Sequence, residues 1–409
     1  MSILVLNAGS STLKFALFDG DAENDLCHGV VDWQGHKNLA TLKLKAVSLS
    51  DEFVAHAELA SYGDAVGWIC RSLEENGFRD LIVAVGHRVV HGGTEFRKPV
   101  IIDDSVNERL RKISKLAPLH HPPVLATFEA TSIELPDATQ VAVFDTTFFA
   151  DLPKKAVVYP VPYDWHERYG VRRFGFHGIS HSYCAKRAER LLGRVGDPDL
   201  RLIVCHLGSG SSATAIIGGH PINTTMGFTP LEGLMMGTRS GSIDPGIMIY
   251  LMQEHGYSAD RLAEELNRNS GLLGVSGVSS DFRTIEKAAE SPAINGNGRA
   301  ALAIEMFADR VRSTIGGLAV TMGGVDGLVF TAGIGENSAT LRQQVCQGLE
   351  CLGLQLDVFQ NETIRSDADI ATPDSIGRIL VIRTREERMV ACETIRLLNR
   401  TKNSVNTST

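Results

Sequence analysis

Apolar and polar residues alternate along this chain with two periods. Residues 3–19, ILVLNAGSSTLKFALFD, start as an apolar run and pass through a Gly-Ser-rich turn. They then continue with Leu13, Phe15 and Leu17 alternating with Lys14 and Ala16. A period of two predicts a strand on each side of the turn. Residues 202–217, LIVCHLGSGSSATAII, repeat the same strand–turn–strand layout about 200 residues later. An ordinary hairpin needs one or two glycines in its turn, whereas these turns string together five or six small residues. A duplicated domain is therefore expected rather than two unrelated hairpins. Further apolar strands are predicted at 81–86, 140–144, 328–331 and 379–382.

Helical periods lie between the strands. Asp103 and Asp104 can cap the run SVNERLRKISKL. In 299–319, Ile304, Phe307, Val311, Ile315 and Leu318 step by three or four, which marks one buried helix face. Ser338 is expected to open a helix through about Cys351, and Glu386 a last one to Leu398, leaving 400–409 as a frayed polar tail. Strands and helices mixed in this order predict α/β layers. The segment 153–174, with Pro153, Pro160 and Pro162 among aromatics, reads as the crossover between two lobes.

Length supports that division, because 409 residues exceed what one ordinary core organises. The chain carries 40 Lys+Arg against 48 Asp+Glu, a net charge of −8, and has no basic run. It lacks the electrostatic footprint of nonspecific nucleic-acid or anionic-membrane binding. Seven scattered cysteines without a C-x-x-C pair support neither a disulfide framework nor a zinc ribbon. The start MSILVLNAG has no basic n-region and no apolar run approaches 18 residues, so the expected location is the cytoplasm. Glycine is enriched at 40 residues, nine of them between Gly208 and Gly246, where backbone must bend sharply or approach something closely.

That clustering directs attention to phosphate chemistry. A Gly-Ser-rich turn after a buried strand exposes several N–H groups together, which suits anionic oxygens. Three such turns occur: 7–12 (NAGSST), 206–212 (HLGSGSS) and 332–337 (AGIGEN), the last expected to precede a helix. No G-x-x-x-x-G-K-[ST] is present, nor any Gly-Lys pair, which excludes a P-loop. The protein-kinase signature is also missing. Gly208-x-Gly210-x-x-Ala213 fits the loose dinucleotide fingerprint, but that turn must open a helix and ATAIIGG reads as a strand. A nicotinamide-dependent oxidoreductase is thus a distant alternative. Neither G-x-S-x-G nor H-E-x-x-H occurs.

Polar residues able to move a phosphoryl group stand near these turns: Lys14, Arg88 and His91 in GHRVVHGG, Asp145 after QVAVF, His177 in RRFGFHGISH and Arg239 in MMGTRSGSIDP. An Asp after a strand is ordinarily a cap, a lone His a packing residue, and an Arg or Lys solvated surface. Their joint position at strand exits and tight turns is what makes a set of them. His177 and His181 are spaced i, i+4 like a metal pair, but no third ligand follows at the usual spacing.

NAGSSTLKF, GHRVVHGG, APLHHPP, FDTTFF, RRFGFHGISH, HLGSGSS, MGFTPLEGLMMGTRSGSIDP, SSDFR and FTAGIGEN resemble, in order, the blocks of acetate kinases, from residue 3 to about 399. The resemblance implies a duplicated ribonuclease-H-like (actin-like ATPase) fold, shared with sugar kinases and heat-shock chaperone ATPases, with two lobes and a cleft between them. One lobe would be 1–150 with 386–409 returning to it, the other a nucleotide-binding lobe at 151–385. It implies reversible transfer of phosphate from ATP to acetate with Mg²⁺ (Mn²⁺ as a substitute), giving acetyl phosphate and ADP, in a homodimer. By similarity, Asn7 and Glu386 serve the metal and Lys14 the phosphates. Arg88 resembles the clamp for the substrate carboxylate, and Val90, Leu119, Phe176 and Pro230 the pocket for the acyl methyl. Asp145 resembles the family's catalytic acid, and His177 and Arg239 the pair that stabilises the transition state. His206, Leu207, Gly208, Ser209 and Gly210, with Asp281, Phe282 and Arg283 and with Gly333, Ile334, Gly335, Glu336 and Asn337, resemble the ATP site. ATP is expected to bind between the lobes and close them.

Carboxylate attack on ATP joins two anions, so catalysis is mainly positioning and charge neutralisation. A carboxylate with a pKa of about 4.3 has no proton to lose at neutral pH. Asp145 is therefore expected to orient Mg²⁺ or an arginine rather than act as a base. The chain departs from the family pattern at Thr12, Ser209, His121, Phe149, Ser242 and Arg385. Acetate and propionate remain alternatives, because one methylene in an apolar pocket is worth only about 1–3 kcal/mol. A nucleotide sensor without turnover is a further alternative, opposed by the intact Arg88, Asp145, His177 and Arg239.

Overall fold

The computed structural model describes residues 1–9, 11–33, 39–46, 52–117, 120–290 and 298–406. The chain divides into two compact units, Met1–Ala150 with Arg385–Thr409, and Asp151–Thr384.

In the first unit, β1 (Ser2–Ala8), β2 (Thr12–Asp19), β3 (Asp25–Asp32), β4 (Leu39–Ala46), β5 (Phe53–Glu58), β6 (Ile82–Val89), β7 (Val100–Ile101) and β8 (Thr139–Phe144) form one sheet in the order β5-β4-β3-β2-β1-β6-β8-β7. Strands β1 to β5 run antiparallel in succession, while β6 lies parallel to both β1 and β8. In the second unit, β9 (Arg201–Leu207), β10 (Ser211–Ile217), β11 (His220–Thr224), β12 (Gly327–Thr331), β13 (Ala368–Asp369) and β14 (Arg378–Val381) are ordered β11-β10-β9-β12-β14-β13. The series β3-β2-β1-β6-β8 and β11-β10-β9-β12-β14 agree in order and in every strand direction. This repeat is the duplicated ribonuclease-H-like plan expected from the two strand–turn–strand patterns.

β1 is buried along its whole length, so its alternate side chains need cover on both faces. Leu4 and Leu6 join Phe15, Val66, Ile69 and Phe128 in one core with helices Tyr62–Glu75 and His121–Glu134. The other face, where Val5 pairs with Gly86, lies under helix Glu386–Asn406. A Cβ on Gly86 would lie 2.6 Å from Thr394 Oγ1 and 2.8 Å from Val390 Cγ1, so glycine is required for that approach. In the second unit, Ile304, Phe307, Val311, Ile315 and Leu318 are the buried stripe of helix Gly298–Met322, as the period predicted. Asp103 caps helix Asp104–Ile113 by accepting the Val106 N–H.

Three boundaries differ from expectation. The helix capped by Ser338 spans Ala339–Cys346 and stops short of Cys351, because Gly348 turns left-handed (φ 84°). AGIGEN is not an open turn but a short helix, Ala332–Asn337. The last helix continues to Asn406 where a frayed tail was expected, since residues 386–406 contain no glycine or proline. Residues 153–174 lie inside the second unit as short helices Lys154–Val157 and Tyr163–Tyr169 with extended backbone around them. Among the described residues no helix is long and apolar enough to cross a membrane.

Candidate active site

Parallel β1, β6 and β8 end side by side, which brings their last residues together. Leu6 pairs with His87 and Arg88 with Val143, and the Asp145 N–H donates to the Val89 carbonyl. Asn7, Arg88 and Asp145 thus share one sheet end with the start of the C-terminal helix. Arg88 donates from Nη2 to Asp145 Oδ2 at 2.6 Å, from Nε to Oδ1 at 3.3 Å, and from Nη1 to Asn7 Oδ1 at 3.2 Å. Its Nη1 is also 3.4 Å from Glu386 Oε2, and Asn7 Nδ2 donates to Glu387 Oε1 at 3.4 Å. Lys14 faces Asn7 across the β1–β2 ladder and is exposed. Burial pushes the Asp145 carboxyl up, and the Arg88 guanidinium pulls against that push. Burial pulls Arg88 down, but Asp145 and Glu386 hold it above its ordinary value, so it stays charged.

Three carboxylates, Asp145, Glu386 and Glu387, gather around Arg88 and Asn7, with Lys14 across the ladder, and they offer only oxygen ligands. That donor set suits a hard divalent cation. Among the described residues no group of three or more His, Cys, Asp or Glu is arranged to hold a metal alone. One or two carboxylates completed by nucleotide oxygens is how Mg²⁺ is usually held.

In the second unit, His177 precedes helix Gly178–Leu191 in a left-handed conformation (φ 57°). Its Nδ1 is 3.0 Å from the Ser212 hydroxyl on β10, which also meets His181 Nε2 at 2.7 Å. His177 stacks on His206 with centroids 4.2 Å apart. A Cβ on Gly210 would lie 3.2 Å from His177 Nε2 and 3.5 Å from Arg239 Nη1, so both side chains converge beside that glycine. Arg239 donates to the Pro230 carbonyl at 3.1 Å, and burial lowers its pKa. His177 and His181 thus share a serine rather than a metal-ligand geometry.

Next to this cluster, Gly208, Ser209, Asp281, Phe282, Arg283, Gly333, Ile334 and Asn337 line one pocket of about 370 Å³ with Ser280, Glu286 and Ser338. Asp281 caps helix Phe282–Ala289 and pairs with Arg283 Nη2 at 2.9 Å. Leu207 and Gly335 are buried beneath the lining. Glu336 points elsewhere: its Oε1 accepts the N–H groups of Ala332 at 2.7 Å and Thr384 at 2.8 Å. The sequence reading missed Arg342, a fully buried guanidinium. Its Nη1 donates at 2.9 Å to the carbonyls of both Gly335 and Glu336, and its Nε and Nη2 bond to Asn361. Burial lowers its pKa to about 10. It fastens the end of the helix that walls the pocket.

Of the residues assigned to the acyl pocket, Val90 follows β6 in the first unit, Phe176 is buried in the second and Pro230 uses its carbonyl on Arg239. Leu119 lies outside the described residues. Among the departures, His121 donates from Nε2 to the His91 carbonyl at 2.9 Å. Ser242 accepts the Gly233 N–H at 3.1 Å, Phe149 is buried against Phe148, and Ser209 is exposed at the pocket rim. Thr12 opens β2, and the Arg385 carbonyl accepts the Met389 N–H.

A family model described as the Acetokinase family matches residues 2–392. The chain is 48% identical over 402 residues to an acetate kinase of Cyanothece sp., covering 96% of this chain and 97% of that one. It is 44% identical over 414 residues to an acetate kinase of Desulfitobacterium hafniense, covering 98% and 100%. The crystal structure of Porphyromonas gingivalis acetate kinase superposes with a TM-score of 0.89 at 41% identity, covering 97% and 99%. That of a propionate kinase from Francisella tularensis gives 0.88 at 38% identity, covering 96% and 98%.

Proposed function

The chain belongs to the acetokinase family, and from that premise we propose that it transfers the γ-phosphoryl group of ATP to acetate, reversibly and with Mg²⁺. The reading rests above all on the pocket of the second unit, where three segments separated in sequence, 208–209, 280–286 and 333–338, wall one space of nucleotide-binding size and polarity. An acetate oxygen forms the new bond to Pγ, the Pγ–O bond to the β-phosphate breaks, and its electron pair leaves on ADP. Because the nucleophile arrives without a proton, no residue need act as base.

Asp145 and Asn7 occupy three of the five N–H groups of Arg88 and set the plane of its fork. The second Nη1–H faces Glu386 at 3.4 Å, and the second Nη2–H is offered to the substrate carboxylate from a fork that a lysine could not reproduce. Asp145 is accordingly a positioning residue for Arg88. His177 and Arg239 supply a hydrogen-bond donor and a charge to the equatorial oxygens as negative charge spreads over them. Asn7 and Glu386 would hold Mg²⁺, with Lys14 on the phosphates; when bound, the ion neutralises phosphate oxygens. A cytoplasmic homodimer follows from the same reading, and sedimentation of the purified chain tests the assembly.

Mg-ATP-dependent acyl-hydroxamate formation in hydroxylamine, compared for formate, acetate, propionate and butyrate by kcat/KM, tests the activity. Preference for acetate supports the reading. Preference for propionate keeps the mechanism and changes the substrate. ATP binding without product from any acid would replace it with a sensor.

A further inference from the structure

The Ser212 hydroxyl stands between two imidazoles, 3.0 Å from His177 Nδ1 and 2.7 Å from His181 Nε2. The two rings reach it together because they are four residues apart at the start of one helix, where the His181 N–H bonds back to the His177 carbonyl. A hydroxyl has one proton to donate, and a neutral imidazole has one donor and one acceptor. With both rings neutral they cannot both accept the single hydroxyl proton, so at least one of them donates to Ser212. Ser212 and His181 are fully buried, and burial, assisted by neighbouring His206, holds His181 well below the ordinary imidazole range.

We propose that Ser212 and His181 are positioning residues that hold His177 as its Nε2–H tautomer, with His181 Nε2–H donating to Ser212 and Ser212 donating to His177 Nδ1. One observation chooses this order over those that protonate His177 at Nδ1, and a second repeats its geometry. First, His177 Nε2 and Arg239 Nη1 converge beside Gly210, where a Cβ would lie 3.2 Å and 3.5 Å from them. An anionic phosphoryl oxygen brought there is attracted by an Nε2–H and repelled by an Nε2 lone pair. Second, the neighbouring ring repeats the arrangement. Thr384 Oγ1 donates to the Ser180 hydroxyl at 2.9 Å, which leaves the Ser180 proton to be given elsewhere, and His206 Nδ1 stands 2.8 Å from that hydroxyl. His206 lies opposite Ser212 on the β9–β10 ladder and stacks on His177 at an interplanar angle of 23°. Both stacked rings thus present Nδ1 to a serine hydroxyl.

The inference rests on the reading of His177 as a transition-state donor, but the tautomer can be read without turnover. The full-length protein labelled with ¹⁵N-histidine is compared at neutral pH as wild type, Ser212→Ala, Ser212→Thr and His181→Gln, with His177→Gln to assign the resonances. Expected in the wild type are an unprotonated, hydrogen-bonded Nδ1 and a protonated Nε2 on His177. Ser212→Ala is expected to mix the two tautomers. It should also lower kcat about 10- to 100-fold, by analogy with the partners that orient metal-ligating imidazoles, with KM values changed less than about threefold. Ser212→Thr keeps the hydroxyl and should recover tautomer and kcat, and His181→Gln keeps a donor to Ser212 and should hold the tautomer. A wild-type His177 protonated at Nδ1, or an unchanged tautomer in Ser212→Ala, overturns the proposal. The expected tautomer in a protein that phosphorylates no acid would instead remove the functional reading and leave the relay standing.

Discussion

Arg88 meets Asp145 fork to fork, with Nη2 2.6 Å and Nε 3.3 Å from the two carboxylate oxygens. The Asp145 side chain is 1% exposed and that of Arg88 18%. The Asp145 carboxylate cannot recover its lost hydration from bulk water if Arg88 is removed, whereas Arg88 without Asp145 keeps Glu386 beside it.

Asp145→Asn keeps the shape and removes the charge, so the Arg88 fork loses its stronger anchor. We expect kcat/KM for acetate to fall roughly 10- to 100-fold. Turnover largely retained at saturating Mg²⁺ would show that Asp145 is essential neither to the metal nor to Arg88. Thermal unfolding should show coupling as well. Arg88→Leu and Asp145→Leu each leave a charge stranded, a cost of about 3–5 kcal/mol for buried pairs. Arg88 retains Glu386, which places Asp145→Leu at the low end. The double variant should be less destabilised than the sum of the two.

Arg239→Ala should lower kcat by roughly 10²–10³, the effect of losing one donor aimed at developing charge. Steady-state kinetics with both substrates separates the cases: a change confined to KM would assign Arg239 to ground-state binding.

Gly333→Val tests the pocket without disturbing its frame. A Cβ at Gly333 meets no heavy atom within 4 Å, and the residue lines the pocket. The melting temperature should hardly move, while KM for ATP rises roughly tenfold or more, the scale of one or two misplaced methyl groups. An unchanged KM would place the nucleotide elsewhere.

Arg342→Leu removes the donor that both the Gly335 and Glu336 carbonyls use. Four acceptors lose this donor, the Gly335 and Glu336 carbonyls and the side-chain and main-chain oxygens of Asn361, and each one left buried and unsatisfied costs about 1–3 kcal/mol. A lower melting temperature together with a higher KM for ATP is expected, and KM unmoved in a destabilised protein would show that the helix 332–337 keeps its position without the arginine.

His87 makes acid stability a separate test. It is buried, bonds from Nε2 to Gln140 Oε1 at 3.0 Å, and burial lowers its pKa to about 3. The unfolded ring has a pKa of about 6.5. The unfolded state therefore binds a proton that the native state refuses, and stability complete above pH 6.5 is lost as pH falls toward 3. The slope is about 1.4 kcal/mol per pH unit for one proton. His91, also lowered to about 3 by burial and by His121, adds a second. Denaturant midpoints between pH 7 and 4 should fall, and His87→Gln should reduce the slope by one proton. An identical slope in the variant would mean that native His87 charges as readily as the unfolded ring.

Much of this molecule was legible in its residues because the signals are local. Alternation of Leu13, Phe15 and Leu17 around a small-residue turn, repeated at 202–217, already implied duplicated strand–turn–strand units, since a strand facing a core must alternate. Ser338 and Asp103 announced their helices because an N-cap acts within three residues of itself. Gly208, Asp281 and Gly333 could be named as site residues, but their convergence on one pocket depends on β9, β12 and the helix at 282–289 packing together. Arg342 carried no local signal: in LRQQVC it reads as a surface residue of a helix, and only burial beneath the 332–337 helix makes its donors count. The Arg88–Asp145 fork joins residues 57 apart, brought together by parallel strands β6 and β8. Ser212 likewise looked like turn filler until the helix carrying His177 and His181 packed against β10. Periodicity and capping are properties of adjacent residues and survive in the bare sequence. Hydrogen-bond partners and desolvation depend on which distant segments meet, and those arise only when the sheets and helices close around them.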